Sequence, residues 1–202
     1  MPTLKVPNRQ RVSPIALIER RIPTPEDLIV LAKPLLNATI RISHLLRGCS
    51  AKWALGGDIA EILLGVNVQP DDITILTTTE GCDEISSRLA IFQVEAPKVT
   101  ERTLERSAEI NARPFPVRIR SRAARFNVDG QILNVHGDLQ IKVGDWEWGD
   151  TLYYNPEYVY VVNEKVPVVP LQLKTELYMG LGWVDRVRKI NEAMAKRHHK
   201  FS

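Results

Sequence analysis

Asp72 and Thr74 stand either side of Ile73 in the run Asp71-Asp72-Ile73-Thr74-Ile75-Leu76. On an extended strand, alternation sends residues 72 and 74 from one face, where they can converge on one metal cluster. Asp71 leaves by the other face and joins them only through a bulge or a frayed strand end. Upstream, Lys52-Trp53-Ala54-Leu55 reads as a short strand ending in Gly56-Gly57, and Asp58 to Gly65 follows as a brief helix. A glycine pair lets backbone approach a phosphate closely, and the N–H groups at Gly56, Gly57 and Asp58, where the helix begins, would point toward that anion. The same pair also suits a strand that only has to turn sharply into a packed helix.

A second cationic candidate lies downstream. Arg118, Arg120 and Arg122 occupy alternate positions of an expected strand, with Arg113 and Arg125 nearby, so their guanidinium groups form a row suited to phosphates. The competing reading is a solvated strand face interleaved with acids from its neighbours. Trp146 and Trp148 flank Glu147 and are expected to pair across strands rather than stack on a base. His136 has no second histidine at metal spacing and reads as a partly buried side chain, while Asp138 in Gly137-Asp138 reads as a turn former. Cys49 and Cys82 lack CxxC or Cys/His spacing, which argues against zinc and leaves one internal disulfide open.

The elements that must position these residues follow from hydrophobic spacing. Residues 1–25 are rich in Pro and Arg and read as an arm or short surface helices. Thr24-Pro25 opens a helix through Leu28, Leu31, Leu35 and Leu36, which Pro34 should kink or split, and a further stripe runs from Ile40 to Leu46 and stops at Gly48. Glu80 to Leu89 is predicted helical with Ile85 and Leu89 inward. The middle is β-rich: Val117 to Phe126, a turn at Asp129-Gly130, a return over Gln131 to His136, turns at Gly137-Asp138 and Gly144-Asp145, and one more strand over Tyr158 to Val162. From Pro170, helical spacing runs through Leu171, Leu173, Leu177 and Met179, then Val184, Val187, Ile190 and Met194, ahead of a basic end.

The composition suits one globular unit. Of 202 residues, 44% are hydrophobic and 25% charged, with 27 Lys and Arg against 24 Asp and Glu, which argues against a disordered, fibrous or disulfide-built chain. A net charge of +3 does not by itself imply nucleic-acid binding. The first residues show no apolar signal region and no stretch is long enough for a membrane helix, so a cytoplasmic protein without membrane contact is expected.

A glycine turn between strand and helix, here Gly56-Gly57, followed by a strand bearing acids, here Asp72-Ile73-Thr74, resembles the nucleotidyltransferase fold of the DNA polymerase beta superfamily. Trp53 to Gly57 with Ala60, and Pro170 to Lys174 with Gly182 and Asp185, resemble its small prokaryotic members, although Trp183 stands where a basic residue is common. The resemblance covers roughly residues 45–190 and implies an α+β fold: a mixed sheet flanked by helices with a C-terminal helical segment. It implies a division into 1–36 (basic arm and helix), 37–165 (core) and 166–202 (C-terminal helices). It further implies Asp72 as a catalytic, Mg²⁺-binding carboxylate, with Asp71 the adjacent acid that could assist. Gly56, Gly57 and Asp58, with Arg118 and Arg120, become the nucleotide-contacting positions, and a nucleoside triphosphate becomes the partner.

In that family two further carboxylates complete a two-metal site. Here Thr74 and Asn134 take their places. Mg²⁺ prefers anionic oxygens, so the loss of two predicts weak metal binding and weak or absent catalysis around a surviving nucleotide cleft. The alternatives are an active Mg²⁺-dependent enzyme moving a nucleoside monophosphate to a hydroxyl, aided by Asp71 or Asp138, and an antitoxin-like or regulatory protein. RNA or a partner protein is the further expected ligand, and an apolar stripe exposed on the final helix would favour the last reading.

Overall fold

A computed structural model of the chain describes residues 32–152 and 154–199. The expected N-terminal arm, the helix start at Thr24 and, of the basic end, Lys200 lie outside the described residues. Helix α1 (Lys33–Leu45) carries Pro34 in its first turn, where a missing N–H is not needed. The expected kink is therefore a helix start. Leu35, Ala38, Thr39 and Ile42 form its buried stripe, and the apolar residues expected before Pro34, Leu28 and Leu31, lie outside the described residues.

The order continues β1 (Trp53–Leu55), α2 (Gly57–Leu63), β2 (Ile73–Thr77), α3 (Thr79–Arg88), β3 (Gln93–Thr103), β4 (Ala108–Ile110), β5 (Arg113–Phe115), β6 (Val117–Val128), β7 (Gln131–Val143), β8 (Glu157–Val161), β9 (Glu164–Val168), α4 (Leu171–Gly180) and α5 (Val184–His199). Among the described residues the main sheet has seven strands in the order β3-β6-β7-β2-β1-β9-β8. It is mixed: β2 runs parallel to β7 and β1 parallel to β9, whereas β1 with β2, β3 with β6, β6 with β7, and β8 with β9 are antiparallel. Strands β4 and β5 form a separate hairpin. The architecture is α+β, as expected.

Alternation divides the sheet into two faces. Ile73, Ile75, Leu133, Val135, Ala124 and Phe126 point to one side and share a core with Leu35 and Ile42 of α1, Ile59 of α2, Ile85 of α3 and Ile190 of α5. Thr74, Leu76, Asn134 and His136 point to the other. There Ala54, Leu76 and Val169 are covered by Leu139, Tyr154 and Leu173, His136 is buried, and Thr74 and Asn134 are half-buried. The expected divisions after residues 36 and 165 fall inside α1 and β9, because one core draws on α1, the sheet and α5 together.

Asp129 and Gly130, at φ 54° and 82°, link β6 to β7 as the expected tight hairpin. Gly137-Asp138 is not a turn. β7 runs through it, with two residues opposing one of β6 between the pairs Arg120↔Gln140 and Arg122↔Gly137. Asp138 takes a left-handed φ of 50° in this bulge and its Oδ2 accepts the N–H of Thr79, at the start of α3, at 2.9 Å. Strands β3 and β9 carry no strand signal of their own. β3 is an exposed edge strand containing Pro97 and charged residues, and β9 contains Pro167; both compositions read as loop.

Candidate active site

The Gly56-Gly57 corner faces β2. The Gly56 N–H donates to the Thr74 carbonyl at 2.8 Å. A Cβ on Gly57, which has φ +53°, would lie 3.1 Å from Thr74 Oγ1, and one on Gly56 would lie 3.0 Å from Leu76 Cγ. Close packing of the corner against β2 is thus one reason for glycine here. The other is the neighbourhood it creates: Thr74 pairs in register with Asn134 of β7, and Asp72 sits one step before β2.

Asp72, Thr74 and Asn134 meet in a hydrogen-bonded cluster. Asp72 Oδ2 accepts from Asn134 Nδ2 at 2.8 Å and Oδ1 from Thr74 Oγ1 at 3.3 Å. Asp71 is exposed and takes no part in it, and Asp138 is engaged with α3 instead. Among the described residues no group of three or more His, Cys, Asp or Glu is placed to hold a metal ion. Mg²⁺ requires a nearly octahedral set of oxygen ligands, usually with more than one anion among ligand and protein. One carboxylate, both of whose oxygens already accept from neutral donors, does not fit a two-metal centre.

Beneath the corner lies a charged network. Glu61 of α2 is fully buried, and its Oε1 accepts from Lys174 Nζ at 3.0 Å and Tyr178 Oη at 2.6 Å, while Oε2 accepts from Arg186 at 3.1 Å. Lys174 also donates to the Gly57 carbonyl at 2.5 Å. Asp58 turns its carboxylate to Arg186 at 2.9 Å, so it is the backbone of residue 58 that belongs to the corner. Burial pushes the Lys174 ammonium below the ordinary lysine range, against the pull of Glu61. Glu61 lies inside the apolar run Ile59 to Leu64, where helical spacing places core; a charge in that setting was the available signal of a buried partner.

The arginine row forms, but away from Asp72. Arg118, Arg120 and Arg122 leave β6 on the face of Ala124 and Phe126, opposite the one bearing Asn134. Arg118 donates to the Gly144 carbonyl at 3.1 Å and lies 3.5 Å from Glu101. Arg120 donates to Gln140 Oε1 at 2.8 Å and lies 4.5 Å from the Trp148 ring centroid. Arg122 pairs with Asp83 at 2.8 Å. The structure therefore does not bring Arg118 and Arg120 to the corner and Asp72. Trp146 and Trp148 follow the end of β7 and do not pair across strands: Trp146 lies 6.3 Å from Phe115, and Trp148 serves Arg120.

His136 faces the same side as Asn134 but is buried, its Nδ1 2.9 Å from Ser121 Oγ. Burial, reinforced by the Arg102 charge, pushes its imidazolium down to about 4. The unfolded chain, at about 6.5, takes up the proton first. This residue's contribution to stability is therefore whole above pH 6.5 and falls by about 3 kcal/mol as the pH drops to 4. Urea unfolding across that range should show the loss, and His136→Leu should remove that part of the slope.

On α5, Ile190 and Ala193 are buried and Val187 and Met194 pack against the core, leaving Val184, 75% exposed, as an isolated apolar residue rather than a stripe. No helix among the described residues is long and apolar enough to cross a membrane, and Cys49 and Cys82 are free thiols.

The sequence matches no family model and no curated protein. Among solved structures, the chain is similar to the Thermotoga maritima protein TM1012, assigned as a nucleotidyltransferase, at 23% identity and a TM-score of 0.62 over 82% of this chain and 96% of that one. More distant likenesses are the lincosamide antibiotic adenylyltransferase LnuA with lincomycin bound (11% identity, TM-score 0.46, 78% of this chain and 96% of that one) and ANT(2")-Ia in complex with adenylyl-2"-tobramycin (8%, 0.41, 83% and 98%).

Proposed function

We propose that this chain, which has the nucleotidyltransferase fold, keeps the cleft of that fold as a metal-independent nucleotide-binding site and does not run the metal-dependent transfer. The supporting observation is the cluster at Asp72. Its single negative charge is already satisfied by the Asn134 amide and the Thr74 hydroxyl, which leaves no anionic set to attract and order Mg²⁺. Such a centre supplies hydrogen-bond donors and one acceptor carboxylate, groups that bind sugar and base edges, without a cation to offset charge on a departing pyrophosphate.

Incubation with Mg²⁺ and ATP labelled at the α-phosphate should yield no labelled product, whereas ATP binding followed by calorimetry should be the same with and without EDTA. Mg²⁺-dependent label transfer that disappears in Asp72→Ala would overturn this reading in favour of an active enzyme.

A further inference from the structure

We infer that Arg125 is the phosphate-binding side chain of this cleft, allowing a nucleotide to be held there without a metal ion. This rests on the nucleotide-binding reading above. Register carries the assignment. Thr74 pairs with Asn134, Asn134 with Arg125, and Arg125 with Glu95, so one row crosses β2, β7, β6 and β3 on a single face. Strands lie about 4.8 Å apart, which puts the Arg125 backbone one strand from Asn134 and two from Thr74, within the reach of an arginine side chain. Of the β6 arginines at 118, 120, 122 and 125, Arg125 alone points to the Asp72 side.

Its bonding differs too. Arg118, Arg120 and Arg122 each donate a hydrogen bond on the opposite face. Arg125 makes none among the described residues, and its ion pair with Glu95 is long, 3.8 Å, with both side chains nearly half exposed. Glu95 is held more closely by Lys98, at 3.1 Å. An exposed pair of this kind is readily exchanged for a better acceptor, and a guanidinium presents a planar fork that matches a phosphate. A nucleotide with its phosphate on Arg125 would have its hydroxyl-bearing sugar beside Asp72 and Asn134, away from direct opposition of the phosphate to the Asp72 carboxylate. Glu95 then competes with the ligand for Arg125.

The test is binding of ATP and of adenosine in EDTA by calorimetry. Arg125→Gln should weaken ATP about tenfold or more and leave adenosine unchanged. Glu95→Gln should tighten ATP, and Arg120→Gln, on the far face, should leave it alone. Unchanged ATP affinity in Arg125→Gln, or weaker ATP binding in Glu95→Gln, would overturn the assignment of Arg125 while the nucleotide-binding reading stands. Failure of the unaltered protein to bind ATP at all would overturn that reading and this assignment with it.

Discussion

Glu61→Ala should cost about 3–5 kcal/mol of folding stability, the range for removing one member of a buried ion pair. Glu61 has no exposed surface and is the common acceptor of Lys174, Tyr178 and Arg186. Its loss leaves the Lys174 ammonium, itself 6% exposed, with only the Gly57 carbonyl as a partner, and leaves the Tyr178 hydroxyl without its acceptor. A deficit of this size is a large share of the 5–15 kcal/mol that a domain ordinarily has. The double change Glu61→Leu with Lys174→Met removes both charges together and should cost less than Glu61→Ala alone. Chemical denaturation of the two variants decides it. Equal or greater loss in the double variant would show that the network stabilises by more than mutual charge satisfaction. Replacing Arg188, whose pair with Glu192 is exposed, should shift stability by no more than about 0.5 kcal/mol.

Gly182→Ala should be nearly as damaging, at about 3 kcal/mol, from two sources that can be separated. Gly182 has φ +70°, in the region where a side chain costs about 1 kcal/mol, and a Cβ there would sit 1.9 Å from the Glu109 carbonyl oxygen. That atom is backbone and cannot swing aside, so the elbow between α4 and α5 must part from the β4–β5 hairpin, adding an overpacking cost of about 2 kcal/mol. The seam includes the Glu109 N–H to Leu181 carbonyl bond at 2.9 Å, the Trp183 indole N–H to Ser107 carbonyl bond at 2.8 Å and the Arg106–Asp185 pair. Gly130→Ala serves as the control: its φ is +82°, yet a Cβ there meets nothing within 4 Å, so only the conformational cost should appear. Similar losses at both positions, read from thermal unfolding, would show that the seam accommodates the methyl group.

The parts of the site legible in the sequence are those set by short-range rules. Alternation alone places Asp72 with Thr74, and the corner needs only a glycine pair between a strand and a helix. The resemblance puts Asn134 at the place of the third carboxylate, and parallel pairing of β2 with β7 brings it opposite Thr74. Alternation also foretold the arginine row, but not which face of β6 would look toward Asp72, since that depends on which face the helices cover. Arg125, on the other parity, is the arginine of β6 that shares a face with Asn134.

Other features have only weak local signatures. Glu61 finds Lys174 and Arg186 across more than a hundred residues, and only the incongruity of a glutamate in an apolar helix hints at them. The residue types of Gly137-Asp138 read as a turn, but the left-handed backbone that an aspartate tolerates serves bulges as well, and strand β7 continues through it. Strand β3 was invisible because an edge strand carries charge and proline where a central strand carries apolar alternation.

Manganese binding tests the central claim most directly, with Mn²⁺ standing in for Mg²⁺ and free ion counted by electron paramagnetic resonance. The unaltered protein should leave the Mn²⁺ signal free up to millimolar concentration, and the double variant Thr74→Asp with Asn134→Asp, which restores three carboxylates around one point, should bind the ion and quench it. Tight Mn²⁺ binding by the unaltered chain, or no gain in the double variant, would contradict a cleft whose metal centre has been replaced by a neutral hydrogen-bonded cluster around Asp72.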